Sequence, residues 1–187
     1  MKCPGCGSRL SFGRFESVVE CAKCKRHICR LGAVEDVVTE AKPKIVFFNG
    51  SFDGINAGHV RAMGEIKEKY SGSRLIIGLN SDALMEWMIA SGCKSQDRLV
   101  LPFDQRREIL SHVREVDEIV ETHEPQAIRQ LQALNADVYV LTEEWTEAQK
   151  PAIDWIRAKG GEVYYSPRYE DILCNSDIRR RIIGGGI

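Results

Sequence analysis

The sequence lacks any marked excess of charge. Its 187 residues include 26 lysines and arginines against 27 aspartates and glutamates, which gives a net charge of -1 at pH 7. This balance excludes a general electrostatic attraction to nucleic acid or to an anionic membrane. Any phosphate-binding site therefore has to be local.

Long apolar runs are also missing. No stretch approaches the roughly 18 apolar residues that cross a membrane, and residues 1–10 lack the apolar core of a signal peptide. We therefore expect a cytoplasmic protein that does not bind membranes. Repeats and low-complexity tracts are absent, and 43% apolar with 28% charged residues is typical of a globular protein with a core. The length allows one ordinary domain and a small extra module.

Cysteines, by contrast, are plentiful and unevenly placed, with five of the seven in the first 29 residues. In a cytosolic chain such crowding favours metal binding over disulfides. Two CxxC pairs predict a zinc ribbon in residues 1–40, in which a structural Zn²⁺ replaces the core that so short a segment cannot build. The predicted ligands are Cys3, Cys6, Cys21 and Cys24, and four free thiols are the alternative. Cys29, with His27 nearby, is either a buried thiol or a substitute ligand.

Residues 41–187 form the second predicted module, in which strand-like and helix-like segments alternate. The expected strands are 44–49, 74–79, 116–120, 136–141 and 162–165, and the expected helices are 57–70, 81–89, 103–114, 126–134, 147–158 and 175–183. This alternation predicts an α/β fold with a parallel sheet wound on both faces. Ligands bind beyond the carboxyl ends of such strands, so the loop after Asn49 is the expected site. Residues 184–186, three glycines, are expected to form a frayed tail.

The loop at residues 50–59 has a composition suited to phosphate. Its small residues let backbone amides approach phosphate oxygens, and a helix that starts near Ala57 directs its positive end to the same place. His59 lies in the first turn of that helix, where a ring nitrogen can donate to a phosphate, and Gly58 leaves space beside it. A surface histidine is the alternative interpretation.

Four segments, in order, resemble the cytidylyltransferase-like nucleotidyltransferases, which include glycerol-3-phosphate cytidylyltransferase and the heptose-phosphate adenylyltransferases. GSFDGINAGH at 50–59 is similar to the family signature G-[ST]-F-D-x-x-H-x-G-H, and CNSDIRRRI at 174–182 is similar to the family's second motif, a turn that opens a helix. Residues 102–110, with the strand after them, and the acidic-acidic-aromatic segment 143–145 also resemble family segments. The resemblance covers 43–183 and leaves out the cysteine-rich module.

The resemblance implies a Rossmann-like domain that transfers a nucleoside monophosphate from CTP or ATP to a small phosphorylated polyol or sugar, with release of pyrophosphate. It implies catalysis by positioning and charge neutralisation, with Mg²⁺ bound to the triphosphate. On this interpretation His59 donates near the α- and β-phosphates. Asn175, Ser176 and Arg179, at the start of the last helix, hold the β- and γ-phosphates. The predicted catalytic residues are His59, Asn56 and Arg179, and the predicted nucleotide-binding residues are Phe48, Asn49, Gly50, Ser51, Phe52, Gly58, Asn80, Arg106, Asn175 and Ser176.

Each of three residues has two possible roles. Asp53 either serves the site or only fixes its loop by accepting backbone hydrogen bonds. Arg106 either faces the site or is a solvated surface residue. Trp145 packs either near the base or in the core.

The chain departs from the family pattern at two positions. Asn56 stands where the signature has its first histidine, and an amide donates hydrogen bonds but carries no charge. Losing one such donor costs roughly a hundred- to thousandfold in rate. Cys174 and Asn175 stand where small hydroxyl residues are usual, and Asn175 is expected to cap the last helix. The chain is then an active enzyme, a slow one, or a nucleotide-binding protein without catalysis.

The sequence is compatible with two roles for the predicted zinc ribbon. Lys23, Lys25, Arg26 and Arg30 make it locally basic, which is compatible with recruiting nucleic acid or a protein partner, although nucleic acid is not favoured. A structural ribbon that caps the sheet or builds a homodimer is the other interpretation.

Overall fold

A computed structural model of the chain describes residues 2–3, 5–11, 18–25, 27–29, 42–93, 100–142, 145 and 147–183. The chain divides into two compact units, Met1–Lys42 and Pro43–Ile187. Glu143 and Glu144 of the acidic segment, Arg26, Arg30, the side chains of His27 and Cys29, and the glycine tail lie outside this description.

The first unit contains one small antiparallel sheet. Its strands are β1, Val18–Glu20, and β2, His27–Cys29, with Val19 opposite Ile28. A separate antiparallel bridge joins Lys2 to Arg9 on either side of the first CxxC pair. So little sheet cannot stabilise a fold by its own apolar burial.

The second unit is an α/β domain, as the sequence predicts. Its strands are β3 (Ile45–Gly50), β4 (Arg74–Asn80), β5 (Glu118–Thr122), β6 (Val138–Leu141) and β7 (Glu162–Tyr165), and its helices are α1 (Ala57–Lys69), α2 (Asp82–Ala90), α3 (Phe103–Ser111), α4 (Ile128–Leu134), α5 (Lys150–Ala158) and α6 (Asn175–Ile183). All five strands are parallel, in the order β5-β4-β3-β6-β7. The predicted Rossmann-like doubly wound sheet is confirmed.

Both faces of the sheet are buried, which explains why its strands are apolar runs. One face, with Val46, Leu75 and Val140, packs on α1, and the other, with Phe47, Ile76 and Tyr139, packs on α4 and α5. Gly78 is required where the sheet is tightest, because an added Cβ would lie 2.4 Å from the Phe47 ring. Among the described residues, no helix is long and apolar enough to cross a membrane.

Several predicted boundaries differ from the structure by one to three residues, and the contacts at two of them give a local reason. The predicted strand 116–120 runs instead from Glu118 to Thr122, because the Asp117 carboxylate, rather than a strand carbonyl, accepts the Leu75 N–H at 2.6 Å. The helix predicted to reach residue 114 ends at Ser111. There the Ser111 hydroxyl donates to the carbonyl of Glu108 at 2.7 Å. In a continuing helix that carbonyl would accept a backbone N–H, so the hydroxyl competes with the helical hydrogen bond.

The strand order reverses between β3 and β6: after β3 the chain adds β4 and β5 on one side of the sheet, and after β6 it adds β7 on the other side. In open α/β sheets the crevice beyond the carboxyl ends of such strands is where ligands bind. A ligand site is therefore expected at the loops after β3 and β6.

Candidate active site

Two cavities open at the reversal of strand order. The strand-end cavity, of about 210 Å³, lies at the ends of β3, β4 and β6, and the helix-end cavity, of about 230 Å³, lies between the starts of α1 and α6. Of the predicted site residues, Asn49, Gly50 and Asn80 line only the first, and Asn56, Gly58, Asn175 and Ser176 line only the second. Phe48, Ser51, Phe52 and His59 line both. The two cavities meet at His59.

The loop between β3 and α1 is held by an aromatic residue in an unusual backbone conformation. Phe52 has a φ of 45° and is buried, with its ring edge-to-face against Phe48 (centroids 5.3 Å apart) and against His59 (5.6 Å). A side chain at Gly50 would press on the Phe52 ring at 3.1 Å. Burial of this ring compensates the cost of the left-handed conformation and fixes the path of the loop.

His59 is aimed by a backbone hydrogen bond. Its Nδ1 accepts the N–H of Asn56 at 3.1 Å, so the neutral ring carries its proton on Nε2. Burial lowers the pKa of His59 below its ordinary value. His59 is thus a neutral Nε2–H donor at the junction of the cavities.

Asn56 caps α1 and also crosses the helix-end cavity. Its Oδ1 accepts the N–H groups of Gly58 (2.9 Å) and His59 (3.3 Å), which completes a capping box with the His59 ring. Its Nδ2 donates to Oδ1 of Asn175 at 2.7 Å. The amide that the sequence offers as a phosphate donor is here bound to the protein at both ends, and its catalytic role stays a prediction.

The start of α6 differs from the sequence-based expectation. The expected cap, Asn175, is already in the helix, and the carbonyl of Cys174 accepts the first helical N–H, from Ile178 at 3.0 Å. Cys174 is therefore the N-cap, and the Asp177 carboxylate accepts both its N–H and its thiol, the latter at 2.9 Å. The Asn175 side chain is diverted to Asn56 and to the carbonyl of Asp53, to which its Nδ2 donates at 2.8 Å.

Asp53 joins three segments around the site. It is 4% exposed, and its carboxylate accepts the N–H groups of Val100 (3.0 Å) and Leu101 (2.9 Å), as expected of a residue that fixes the loop. It also pairs with the guanidinium of Arg179 on α6 at 2.8 Å. Arg179, predicted as a catalytic residue, is thus paired with a buried carboxylate and is not among the described residues that line either cavity, so its catalytic role stays a prediction.

Arg106 is buried beneath the site rather than solvated, so the surface interpretation is wrong. Its side chain has no exposed surface and donates to the carbonyls of Ser51 (2.7 Å), Asn80 (2.9 Å) and Leu101 (3.0 Å) and to the Asp82 carboxylate (2.6 Å). The carbonyl of Ser51 lies directly after β3 and that of Asn80 ends β4, so Arg106 positions the walls of the cavities. Its predicted contact with nucleotide stays untested.

The residues that follow β6 and β7 and line the cavities were not predicted from the sequence. Thr142 comes directly after β6 and lines both cavities, while Ser166, Arg168 and Tyr169 follow β7 and line the helix-end cavity. The rule that pointed to the loop after β3 applies equally to these loops. Trp145, for which two positions were open, lines the strand-end cavity and also packs on the core.

Side chains of α1 clamp the loop after β7. Arg61 binds both oxygens of Asp171, at 2.8 and 2.9 Å, and its guanidinium lies 5.0 Å from the centre of the Tyr169 ring. The Tyr169 hydroxyl donates to Glu65 at 2.7 Å. These contacts set the distance between the β7 loop and α1, and with it the width of the helix-end cavity.

Comparison with known proteins identifies the family. Residues 47–179 match the family model described as "Cytidylyltransferase-like". The chain belongs to the cytidylyltransferase-like family. It is 33% identical over 131 residues to "Bifunctional protein HldE" of Azotobacter vinelandii (strain DJ / ATCC BAA-1303) and 34% identical over 131 residues to the protein of that name from Ectopseudomonas mendocina (strain ymp). Each match takes in 70% of this chain but only 26% of the relative, so the chain spans about a quarter of the length of these relatives.

Two solved structures share the cytidylyltransferase-like domain's fold. One is the lipopolysaccharide core biosynthesis protein from Thermoplasma volcanium GSS1, with a TM-score of 0.54 and 19% identity over 68% of this chain and 98% of that one. The other is a protein of unknown function from Archaeoglobus fulgidus, with a TM-score of 0.50 and 21% identity over 69% of this chain and 93% of that one.

The family match leaves out the cysteine-rich unit. The sulfurs of Cys3, Cys6, Cys21 and Cys24 lie within 4.8 Å of one another, with Cys3–Cys24 at 3.4 Å and Cys6–Cys21 at 3.6 Å. Tetrahedral Zn²⁺ with Zn–S bonds of roughly 2.3 Å requires sulfurs roughly 3.8 Å apart, so the cluster fits one zinc ion. The Ser8 hydroxyl lowers the pKa of Cys21 to about 6, which favours the thiolate that a metal binds.

The two CxxC loops share one turn geometry. In each, the residue after the second cysteine has a left-handed backbone: Gly7 with a φ of 72° and Lys25 with a φ of 62°. The N–H of each of these residues donates at 2.8 Å to the carbonyl of the first cysteine of its pair. The paired loops and the four-cysteine cluster are compatible with a small zinc ribbon.

Proposed function

We propose that this chain transfers a nucleoside monophosphate from CTP or ATP to a small phosphorylated polyol or sugar and releases pyrophosphate. One observation carries the proposal: a neutral histidine donor stands where two cavities meet, and the two family motifs face each other across one of them. Family membership supports a nucleotidyl transfer rather than another reaction at this site.

The two cavities suit the two substrates. The helix-end cavity combines Asn175 and Ser176 at the start of α6, the guanidinium of Arg168 and the Nε2–H of His59, which favour a triphosphate. In-line displacement places the attacking oxygen opposite the departing pyrophosphate. With the pyrophosphate towards α6, the acceptor phosphate enters from the strand-end cavity.

The reaction is one displacement at phosphorus. An oxygen of the acceptor phosphate forms a bond to the α-phosphorus, and the bond from the α-phosphorus to the oxygen that bridges to the β-phosphorus breaks. That electron pair leaves with the pyrophosphate, while His59 donates to the oxygens on which charge grows. Ser51 contributes its amide and hydroxyl at the entrance of the acceptor phosphate.

Magnesium would enter with the triphosphate. The described residues that line the cavities include no carboxylate, so phosphate oxygens and water would hold the ion. When bound, it neutralises part of the triphosphate charge.

A two-stage screen tests the function. Each nucleoside triphosphate, with Mg²⁺, is first tested for a rise in the melting temperature, since a ligand of the folded state stabilises it. Pyrophosphate release is then followed with a panel of phosphorylated polyols and sugars. Binding with no release from any acceptor would identify a nucleotide-binding protein without catalysis, and no binding at all would contradict the proposal.

Replacing Asn56 with aspartate should separate its two roles. Aspartate caps a helix as well as asparagine does, so α1 should keep its start, and the melting temperature should fall by only about 2–4 °C, the effect of losing one hydrogen bond of about 1 kcal/mol. It cannot donate to Asn175, and it places a negative charge beside the phosphates. We expect the Kd for the triphosphate to rise about tenfold or more, equivalent to about 1.4 kcal/mol. Isothermal titration measures this, with Asn56→His as the comparison that restores the family residue and should bind at least as tightly as the wild type.

We further propose that the four cysteines hold one structural Zn²⁺. Cys21→Ser should lower the metal content from one zinc per chain to near zero and unfold the ribbon, because so small a unit depends on its metal. Atomic spectrometry measures the zinc, and Cys93→Ser, which changes an exposed cysteine of the other unit, is the matched control. Full zinc content in Cys21→Ser would exclude this ligand set.

A further inference from the structure

The strand-end cavity contains two asparagines at the ends of adjacent strands. Asn49 lies opposite Gly78 in the register of β3 and β4, and Asn80 follows two residues later on β4, on the same face of the sheet. Gly78 puts no side chain between them, and an added Cβ there would come within 2.9 Å of the Asn49 Cβ. The two amides thus border the same open space.

A hydroxyl fixes the oxygen of each amide. The Tyr139 hydroxyl donates to Oδ1 of Asn49 at 3.1 Å, and the Thr122 hydroxyl donates to Oδ1 of Asn80 at 2.9 Å. Tyr139 and Thr122 are both buried, at 0% and 2% exposed, so neither hydroxyl can turn to water instead. With the oxygens held, the NH₂ groups are the ends left for a ligand.

The NH₂ group of Asn80 has poor partners in the protein. Asn80 is 5% exposed, and Nδ2 meets the sulfurs of Met85 at 4.0 Å and Met88 at 3.9 Å. Thioether sulfur is a weak acceptor, and a buried donor without a good acceptor is costly. Such a group in a cavity wall points to an acceptor atom supplied by a ligand.

Gln149, in the same wall, shows the contrast. Its Oε1 accepts the N–H of Ala127 at 3.0 Å, and its Nε2 donates to the carbonyl of Pro125 at 2.6 Å. Both ends of that amide are used by the backbone, so Gln149 forms the wall and does not select a ligand.

We propose that Asn49 and Asn80, which the sequence predicts to bind nucleotide, instead determine acceptor specificity by donating their NH₂ groups to hydroxyl oxygens on the body of the acceptor. Tyr139 and Thr122 are the positioning residues that hold these donors in place. This inference rests on the proposed function, in which the acceptor phosphate enters from the strand-end cavity. It restricts the acceptor to phosphate esters of molecules that carry hydroxyl groups close to the phosphate.

Binding of acceptor probes to the 187-residue chain, saturated with a triphosphate analogue that cannot react, tests the ligand class. Glycerol 3-phosphate and glucose 1-phosphate carry such hydroxyls, whereas phosphoethanolamine carries the same phosphate on a body that offers only an ammonium donor. The two hydroxylated probes should raise the melting temperature and phosphoethanolamine should not. Equal shifts for all three probes, or none for the hydroxylated pair, would overturn the inference.

Variants then test the residues. Asn80→Leu should raise the Kd of the better hydroxylated probe, and its KM in pyrophosphate release, about tenfold, which is the usual cost of losing one hydrogen bond to a substrate hydroxyl. Thr122→Val and Tyr139→Phe, which free an amide to rotate, should raise both severalfold. They keep the test valid if Asn80→Leu does not fold. Tyr70→Phe, which loses a hydroxyl bonded to Glu162 outside the cavities, should change neither constant.

The affinity of the triphosphate alone distinguishes the outcomes. It should stay within twofold of the wild type in all four variants. Weaker triphosphate binding with an unchanged KM for the acceptor would assign the asparagines to the nucleobase and overturn the inference, while the proposed transfer would still stand. A wild-type chain that binds no triphosphate contradicts the proposed function itself.

Discussion

His59→Ala should lower kcat for pyrophosphate release by about a hundred- to a thousandfold, the usual effect of removing one donor from charge that develops on oxygen. The other donors around the triphosphate remain, so its Kd should change much less than kcat. The fold should persist, because the Asn56 side chain still caps α1. A discontinuous assay of pyrophosphate release measures kcat, and a thermal melt measures whether the fold persists. His123→Ala, an exposed histidine outside both cavities, is the matched control, and normal turnover by His59→Ala would rule out the proposed site.

The same histidine should give triphosphate binding a pH dependence. Burial lowers the pKa of His59, so the ring is neutral in the free site at pH 7. Above the pKa of the complex the ring stays the neutral Nε2–H donor. As the pH falls from the pKa of the complex to that of the free site, phosphate charge beside Nε2 favours the imidazolium, so binding takes up a proton at Nδ1, which then no longer accepts the Asn56 N–H, and affinity rises. Titration calorimetry in buffers of different ionisation heat measures the proton uptake. His59→Ala should lose it, whereas His123→Ala should keep it.

Arg106→Met should destabilise the domain by about 3 kcal/mol, a loss typical of breaking a buried charged network. Methionine fills much of the space, but three carbonyls and the Asp82 carboxylate lose their shared donor. The figure lies at the low end for such networks because Asp82 remains partly solvated. For a domain of this size the melting temperature should fall by roughly 6–12 °C.

Arg107 provides the control for this substitution. It is the next residue on α3 but is exposed, so Arg107→Met should change the melting temperature by less than about 2 °C. If the two variants had the same melting temperature, Arg106 would not hold the ends of β3 and β4. Urea unfolding, which yields the free energy directly, should give the same ranking.

Most of the domain's architecture is predictable from local sequence. Apolar runs such as Ile45–Gly50 and Arg74–Asn80 predict buried parallel strands, and the loop after the first of them lines the cavities, as its position predicts. Element ends are less predictable, since they depend on single side-chain contacts. The hydroxyl of Ser111 ends α3, and the carboxylate of Asp117 delays β5, yet neither residue type marks a boundary by itself.

The roles of individual site residues were harder to predict. Asn56 is the departure that the family signature reveals, but its partner, Asn175, lies 119 residues away. Arg179 looks in the sequence like one of three similar arginines, and only the ion pair with Asp53, 126 residues away, distinguishes it. Arg106 has the sequence context of a surface helix, whereas the structure buries it completely.

The sequence by itself determined the α/β alternation, the loop with His59 after the first strand of the α/β domain, and the four cysteines that fit a metal. Each is a local pattern of spacing and residue type that needs no knowledge of distant segments. Only the tertiary structure decided that Asn56 binds Asn175, that Arg106 supports the cavity walls, and that Asn49 and Asn80 present their donors together. These depend on how strands and helices far apart in the chain pack, and local sequence patterns do not specify which side chains that packing brings into contact.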